Sequence, residues 1–213
     1  MMDESKRASE ILRILKKTYK HKPTTALSYQ NTVQLLVAVI LSAQCTDQRV
    51  NMVVKPLFKK YKTAKDFANA SRKTFEKEIH STGFYRNKAK NIINACKIID
   101  KQHSGTVPKT MPELLHLPGV ARKTANIVLS EGYGIIDGIA VDTHVMRLSN
   151  RLRFTKNENP EKIERDLMQL FPHKDWSEIS LRLIWHGRAV CRARKPACEK
   201  CPINKLCPSA FDF

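Results

Sequence analysis

The 213-residue chain carries 38 Lys and Arg against 20 Asp and Glu, a formal net charge of +18, and 42% of its residues are hydrophobic. That length supports one substantial core or two modest ones, and the longest apolar run, Leu35 to Leu41 with Ser42 and Ala43 behind it, is far short of the roughly 20 residues that span a bilayer. No membrane segment is expected, and a positive excess spread along the chain rather than parked in a tail points to a polyanion partner.

Met1-Met2-Asp3-Glu4-Ser5-Lys6-Arg7 places acids before bases and has no apolar stretch behind it, so neither a secretory signal nor a transit peptide fits. An intracellular location is expected, in the cytoplasm with the nucleoid, or in the nucleus of a eukaryote. The six cysteines are therefore read as thiols rather than disulfides. Cys45 and Cys96 sit among apolar residues and read as small core side chains.

In chain order, Ser5 to Tyr19 sets Ile11, Leu12, Leu15 and Tyr19 on one helical face, with Pro23 as its stop. Thr32 to Ala43 is helical in length and apolar nearly all round, as a helix buried in a core requires. After Gln44-Cys45-Thr46, a helix beginning near Asp47 turns Val50, Val53, Val54, Leu57 and Phe58 inward. Thr63-x-x-Asp66 is a capping box, and Phe75 and Ile79 mark a short helix closed by Thr82-Gly83. Asn87 to Lys101 repeats the helical spacing and Gly105 stops it, after which Thr110-x-x-Glu113 is expected to cap the next helix. Val141-Asp142-Thr143-His144 opens a helix through Leu152, and Pro160 to Leu170 and Trp176 to Val190 follow. No alternating strand pattern, internal repeat or low-complexity segment appears, so the fold class is all-α.

Leu117-Pro118-Gly119-Val120-Ala121-Arg122-Lys123-Thr124-Ala125 reads as a helix end, a glycine hairpin and the first turn of a second helix. Pro118 cannot continue a helix, and Gly119 can take the positive φ that reverses the chain. Backbone N–H groups around Gly119, Ala121 and Lys123 would then point outward at a helix N-terminus, where they can hold a backbone phosphate without reading base identity. Ala121 is expected as the first helical residue. A lysine in that first turn sits against the positive end of the helix dipole, which favours the neutral, nucleophilic amine; the plainer reading is that Lys123 reaches a phosphate. Asp142 likewise reads as an ordinary N-cap that could also act in chemistry.

Cys191-x6-Cys198-x2-Cys201-x5-Cys207 is a four-thiolate site for which thiolate chemistry alone allows zinc or iron–sulfur. Arg192, Arg194 and Lys195 between the first two cysteines would set cations against phosphates.

The hairpin, the run Val141-Asp142-Thr143-His144-Val145-Met146-Arg147 and the four cysteines, in this order, resemble the endonuclease III family of DNA base-excision-repair glycosylases, from about Ser5 to Pro208. The resemblance implies two helical lobes with DNA bound in the cleft between them: residues 25–134, carrying the helix-hairpin-helix, and residues 1–24 plus 135–213, carrying a [4Fe–4S] cluster on Cys191, Cys198, Cys201 and Cys207. It implies that Lys123 forms a Schiff base with C1′ of the damaged nucleotide and that Asp142 assists base loss. Gln44 matches an inserting glutamine and Phe84 the wedge of a second loop, both serving to flip a nucleotide from the stack. Further DNA contacts are implied for Gly119, Ala121 and Arg122 in the hairpin, for His144 and Arg147, and for Arg192, Arg194 and Lys195. The implied enzyme is a bifunctional DNA glycosylase and AP lyase that removes oxidised or damaged pyrimidines, acting as a monomer on double-stranded DNA with damaged bases or abasic sites. Two other readings are a monofunctional mismatch glycosylase and a non-enzymatic helix-hairpin-helix DNA-binding protein; an adenine-removing relative would carry glutamate where Ala38 stands and would lack the hairpin lysine.

Overall fold

In the computed structural model, which describes residues 3–20 and 26–212, all regular structure among the described residues is helical. The α-helices are α1 (Glu4–Thr18), α2 (Thr32–Ser42), α3 (Asp47–Lys60), α4 (Ala64–Ala68), α5 (Arg72–Glu78), α6 (Tyr85–Gln102), α7 (Met111–Leu115), α8 (Arg122–Tyr133), α9 (Thr143–Arg151), α10 (Pro160–Leu170) and α11 (Trp176–Ala189). The chain divides into two compact units, Thr24–Asp137 and the combination of Met1–Pro23 with Gly138–Phe213.

The Thr24–Asp137 unit is built on α2. Leu35, Leu36, Val37, Ala38 and Leu41 are fully buried on all sides of that helix, among α3, α6 and α8. Its N-terminus is fixed by Asn31, whose side chain accepts from the Gln34 N–H. Gln34 is itself buried and hydrogen-bonded: its Oε1 accepts from Gln30 N–H at 3.0 Å, and its Nε2 lies 3.3 Å from the carbonyls of both Phe58 and Tyr61. The α2–α8 contact is close, since a Cβ on Gly132 would stand 3.0 Å from Thr32 Cγ2. Phe58, Tyr61, Phe67 and Phe75 form a group of edge-on and stacked rings beneath α4. Cys96 is buried here, and desolvation pushes its thiol up to about 12.

The second unit packs α1 against α11 and α11 against α9 around Ile11, Leu15, Val145, Leu148, Ile179 and Leu183. Gly187 lets α11 approach α9, because a Cβ there would come within 2.8 Å of His144 Nδ1 and 3.0 Å of the Arg147 guanidinium. Arg7 on α1 donates to the carbonyls of Leu152 at 2.8 Å and Leu206 at 3.3 Å.

Two helix boundaries follow their sequence signals and one cap does not. The Thr63–Asp66 capping box forms with both reciprocal bonds, and Gly105 takes φ +77° while its N–H closes onto Ile99 O. At α7, by contrast, Thr110 makes no side-chain bond to the backbone; its hydroxyl donates to the Glu113 carboxylate at 2.5 Å. The two side chains satisfy each other, and the expected cap is absent. Helix α1 ends at Thr18 with Tyr19 as its C-cap, and Pro23 lies outside the described residues.

Because α2 has no solvent face over which the unit could relax, Leu36→Ala is expected to cost roughly 2–5 kcal/mol through lost transfer energy plus a residual cavity. A fall in the urea midpoint without a change in slope would register it; a loss below about 1 kcal/mol would show that α2 is not the core.

Candidate active site and cluster loop

Leu117 to Val120 make a tight turn in which Val120 N–H donates to Leu117 O at 3.1 Å. Proline at its second position and Gly119 at φ +81° in its third are the residues a type II turn selects. Glycine is required a second time by space, since a Cβ would meet Asn91 Cβ at 2.8 Å and Nδ2 at 2.9 Å. Ala121 then serves as the N-cap of α8, with φ −93° and ψ 169°, so the helix begins at Arg122, one residue later than expected. The negative φ makes alanine unstrained there, and a methyl group cannot cap. The N-terminus of this 12-residue helix therefore carries no side-chain cap, which leaves a dipole end suited to a phosphate. Gly119, Ala121 and Lys123 are exposed around it, and Arg122 is half-buried.

Asp142 caps α9. Its Oδ1 accepts from both His144 N–H and Val145 N–H at 2.8 Å, which fixes the half-buried carboxylate while both bonds fall on one oxygen. Lys123 belongs to the Thr24–Asp137 unit and Asp142 to the other.

Gln44 and Phe84 share an unusual backbone state. Both are exposed non-glycine residues in the left-handed region, at φ 53° and φ 47°, and the Phe84 side chain is 66% exposed beside a buried core. Each such residue stores on the order of 1–3 kcal/mol, a strain that collects at functional sites. The sequence gives no warning of this strain.

Arg147 is placed differently from its expected DNA contact. Its guanidinium turns into the α9–α11 crossing, where NH2 donates to Gly187 O at 3.2 Å and Cys191 O at 2.9 Å, and Nε is buried without a hydrogen-bond partner. Burial lowers its pKa from the usual guanidinium range. The side chain is committed to holding the start of the cysteine loop. Half-buried His144 stands beside it, with Nδ1 at 3.2 Å from the Arg147 NH2.

Cys191, Cys198, Cys201 and Cys207 are all half-buried and line one cavity together with Leu148, Arg151, His186 and Ile203. Short helical turns at Cys198–Lys200 and Asn204–Leu206 aim the later thiols inward. Arg151 clamps the loop: one guanidinium nitrogen lies 3.2 Å from Cys191 Sγ and 2.8 Å from Arg192 O, and the other 3.0 Å from Ala193 O. His186 Nε2 faces Cys201 Sγ at 3.4 Å while Tyr19 OH lies 2.9 Å from Nδ1. Burial brings His186 down to about 4, so the ring is neutral and one nitrogen can donate to sulfur. Burial also pushes the Cys201 thiol up to about 11, so metal charge is needed to hold it as thiolate. Four thiols around a cavity, with N–H donors aimed at two sulfurs, fit an iron–sulfur cluster. Arg192, Arg194 and Lys195 are exposed on the outside of this loop.

Residues 37–173 match the HhH-GPD superfamily of base excision DNA repair proteins, and residues 191–207 match the iron–sulfur binding domain of endonuclease III. The chain belongs to the endonuclease III family. Endonuclease III of Synechocystis is 57% identical over 210 residues, spanning 99% of this chain and 95% of the relative. That of Escherichia coli K12 is 41% identical over 206 residues, spanning 97% and 96%. Two solved structures, a non-covalent endonuclease III–DNA complex and a trapped endonuclease III–DNA covalent intermediate, each align over the whole of this chain with TM-score 0.92 and 40% identity. They are covered to 98% and 99% of their own length. As a member of this family the protein is a DNA glycosylase and AP lyase of base excision repair and carries a [4Fe–4S] cluster.

The purified protein is expected to be yellow-brown, with about four irons and four acid-labile sulfides per chain. Cys198→Ala should lose colour and DNA affinity together. Elemental analysis that returned one zinc and no iron would overturn the cluster assignment.

Proposed function

We propose that Lys123 is the nucleophile, that Asp142 is its proton acceptor and electrostatic partner, and that oxidised or otherwise damaged pyrimidines are the substrates. The observation that carries this reading is an exposed lysine on the first turn of an uncapped helix, directly after the glycine turn, in a family for which a covalent DNA intermediate has been trapped.

The amide end of α8 around Gly119 and Ala121 binds one backbone phosphate and sets the register of the sugar against Lys123. The amine attacks C1′ as the C1′–N bond breaks, and the departing base takes the bonding pair and a proton. Asp142 accepts a proton as the lysine nitrogen is freed, and its charge offsets the positive charge that develops on the sugar. The N-cap bonds hold that carboxylate in one orientation, so it needs little reorganisation when charge appears. Cleavage of C1′–O4′, whose oxygen takes a proton as the sugar ring opens, turns this adduct into an imine, which acidifies the C2′ proton; its loss sends electrons through C2′–C3′ and expels the 3′ phosphate. One lysine thus gives base removal and strand cleavage. The cluster, when bound, ties the 191–207 loop into one rigid body that presents Arg192, Arg194 and Lys195 to phosphates; no chemical step passes through it.

Gln44 and Phe84 fill the space that an extruded nucleotide leaves, Gln44 in one strand and Phe84 against the other. Both residues are exposed and hold left-handed backbones without DNA present. The protein acts as a monomer inside the cell, where its DNA is; no helix among the described residues is long and apolar enough to cross a membrane.

Borohydride reduces an imine to a stable amine, so the wild-type protein mixed with lesion-bearing duplex should become covalently attached to DNA. Lys123→Ala should bind without trapping or cleavage, and Asp142→Asn should trap about 10²-fold or more slowly with binding nearly intact. Trapping by Lys123→Ala at the wild-type rate would assign another nucleophile, base loss without strand cleavage by the wild type would make the enzyme monofunctional, and binding alone would leave a DNA-binding module.

If Arg194 meets a phosphate, Arg194→Ala should reduce the slope of log K against log salt by about one unit. An unchanged slope removes it from the interface.

A further inference from the structure

Lys88 stands on α6 at helical spacing from Ile92, Ala95 and Ile99, on a face that is otherwise apolar and fully buried. The residue is 5% exposed, and among the described residues no carboxylate forms an ion pair with it. Its ammonium donates to two carbonyls: Leu41 O at 2.8 Å and Thr82 O at 2.7 Å. Each acceptor ends a helical segment, Leu41 in the last turn of α2 and Thr82 at the close of the helical turn His80–Thr82. A cation is favoured at both, because helix C-termini carry unsatisfied carbonyls and the negative end of the dipole.

The two segments lead straight to the strained probes. Gln44 follows Leu41 by three residues and Phe84 follows Thr82 by two, so a single ammonium joins the roots of two loops that are distant in sequence and lie in one compact unit. Burying a charge here costs desolvation that a methionine of similar length would avoid. What the ammonium adds beyond packing is a fixed point between the loops.

We propose that Lys88 is the positioning residue that holds the Gln44 and Phe84 loops at one spacing, so that both side chains enter a duplex together when a nucleotide is extruded. The proposal rests on the insertion roles given above to Gln44 and Phe84. A duplex that loses one nucleotide from its stack has a gap in one strand and an unpaired base in the other. Two probes on a common anchor fill both in one event, whereas two independent loops must each be ordered separately.

The test uses full-length, cluster-loaded protein with Lys88→Met, which keeps the length and removes the charge, and Lys88→Arg, which keeps the charge but presents a planar fork in place of a compact ammonium. Excision of a paired dihydrothymine is compared with cleavage at a pre-formed abasic site, which has no base to extrude. Both variants should lower the ratio of the two rates, Lys88→Met by about tenfold and Lys88→Arg by less. Hydrogen exchange should rise in Lys88→Met at residues 42–46 and 82–85 together. In the otherwise wild-type chain, Gln44→Ala and Phe84→Ala should be non-additive in excision, and in Lys88→Met the same losses should simply multiply. An unchanged rate ratio, exchange that rises in one segment alone, or coupling that persists without the amine would each overturn the role of Lys88. Were Gln44→Ala and Phe84→Ala each without effect in the otherwise wild-type chain, the insertion roles themselves would fall. Were Lys88→Met not to fold, a wild-type rate ratio and wild-type coupling in folded Lys88→Arg would overturn the proposal on their own.

Discussion

Every α-helix ends in carbonyls that have no partner within it, and a fold made only of helices must find donors for many such ends. This chain uses cations. Lys88 serves Leu41 and Thr82, Arg7 serves Leu152 and Leu206, Arg147 serves Gly187, and Arg182 serves Tyr19; Arg147 and Arg151 do the same for the loop carbonyls of Cys191, Arg192 and Ala193. Charge-assisted bonds of this kind are stronger than neutral ones and tolerate partial burial. Part of the +18 excess is therefore internal scaffolding and never faces a polyanion. The opposite ends are treated unequally: Asp142, Thr46, Asn31, Thr63 and Asn159 cap their helices with side-chain oxygens, while α8 begins on an alanine and, like α1, α5, α6, α7 and α11, has no side-chain cap.

The cysteine loop depends on the same economy. It has almost no secondary structure of its own, so its shape is imposed from outside by Arg147 and Arg151 on α9 and by His186 on α11. Gly187 matters here because it lets the two helices come close enough for those side chains to converge. The metal site is thus as much a property of a helix crossing as of four cysteines.

Helix positions were legible in the sequence because burial imposes a 3.6-residue period and because Thr63-x-x-Asp66, Gly105 and Pro118-Gly119 each have a local stereochemical meaning. Thr110-x-x-Glu113 carried the same signature as the working box and failed, since a hydroxyl and a carboxylate can satisfy each other instead of the backbone. Ala121 was off by one residue because a short turn leaves the N-cap register undetermined. Arg147 sat in a motif that suggested DNA, and only the depth of the α9–α11 crossing shows it turned inward. Lys88 did carry a signal, a lone cation in register with Ile92 and Ile99, but its two partners lie 47 and 6 residues away in sequence and no pattern joins them. The left-handed backbones of Gln44 and Phe84 were invisible, since neither residue type announces positive φ.

The packing of α1 sets an order on how the molecule is made. Residues Ala8, Ile11, Leu12 and Leu15 belong to the core completed by α9, α10 and α11, so α1 is synthesised well before the helices it packs on. Thr24–Asp137 is contiguous and can close as soon as it emerges. At about 5–20 residues per second, α1 must wait roughly 10–40 seconds for its partners. During that time its apolar stripe is bare, which makes α1 a segment in need of a chaperone.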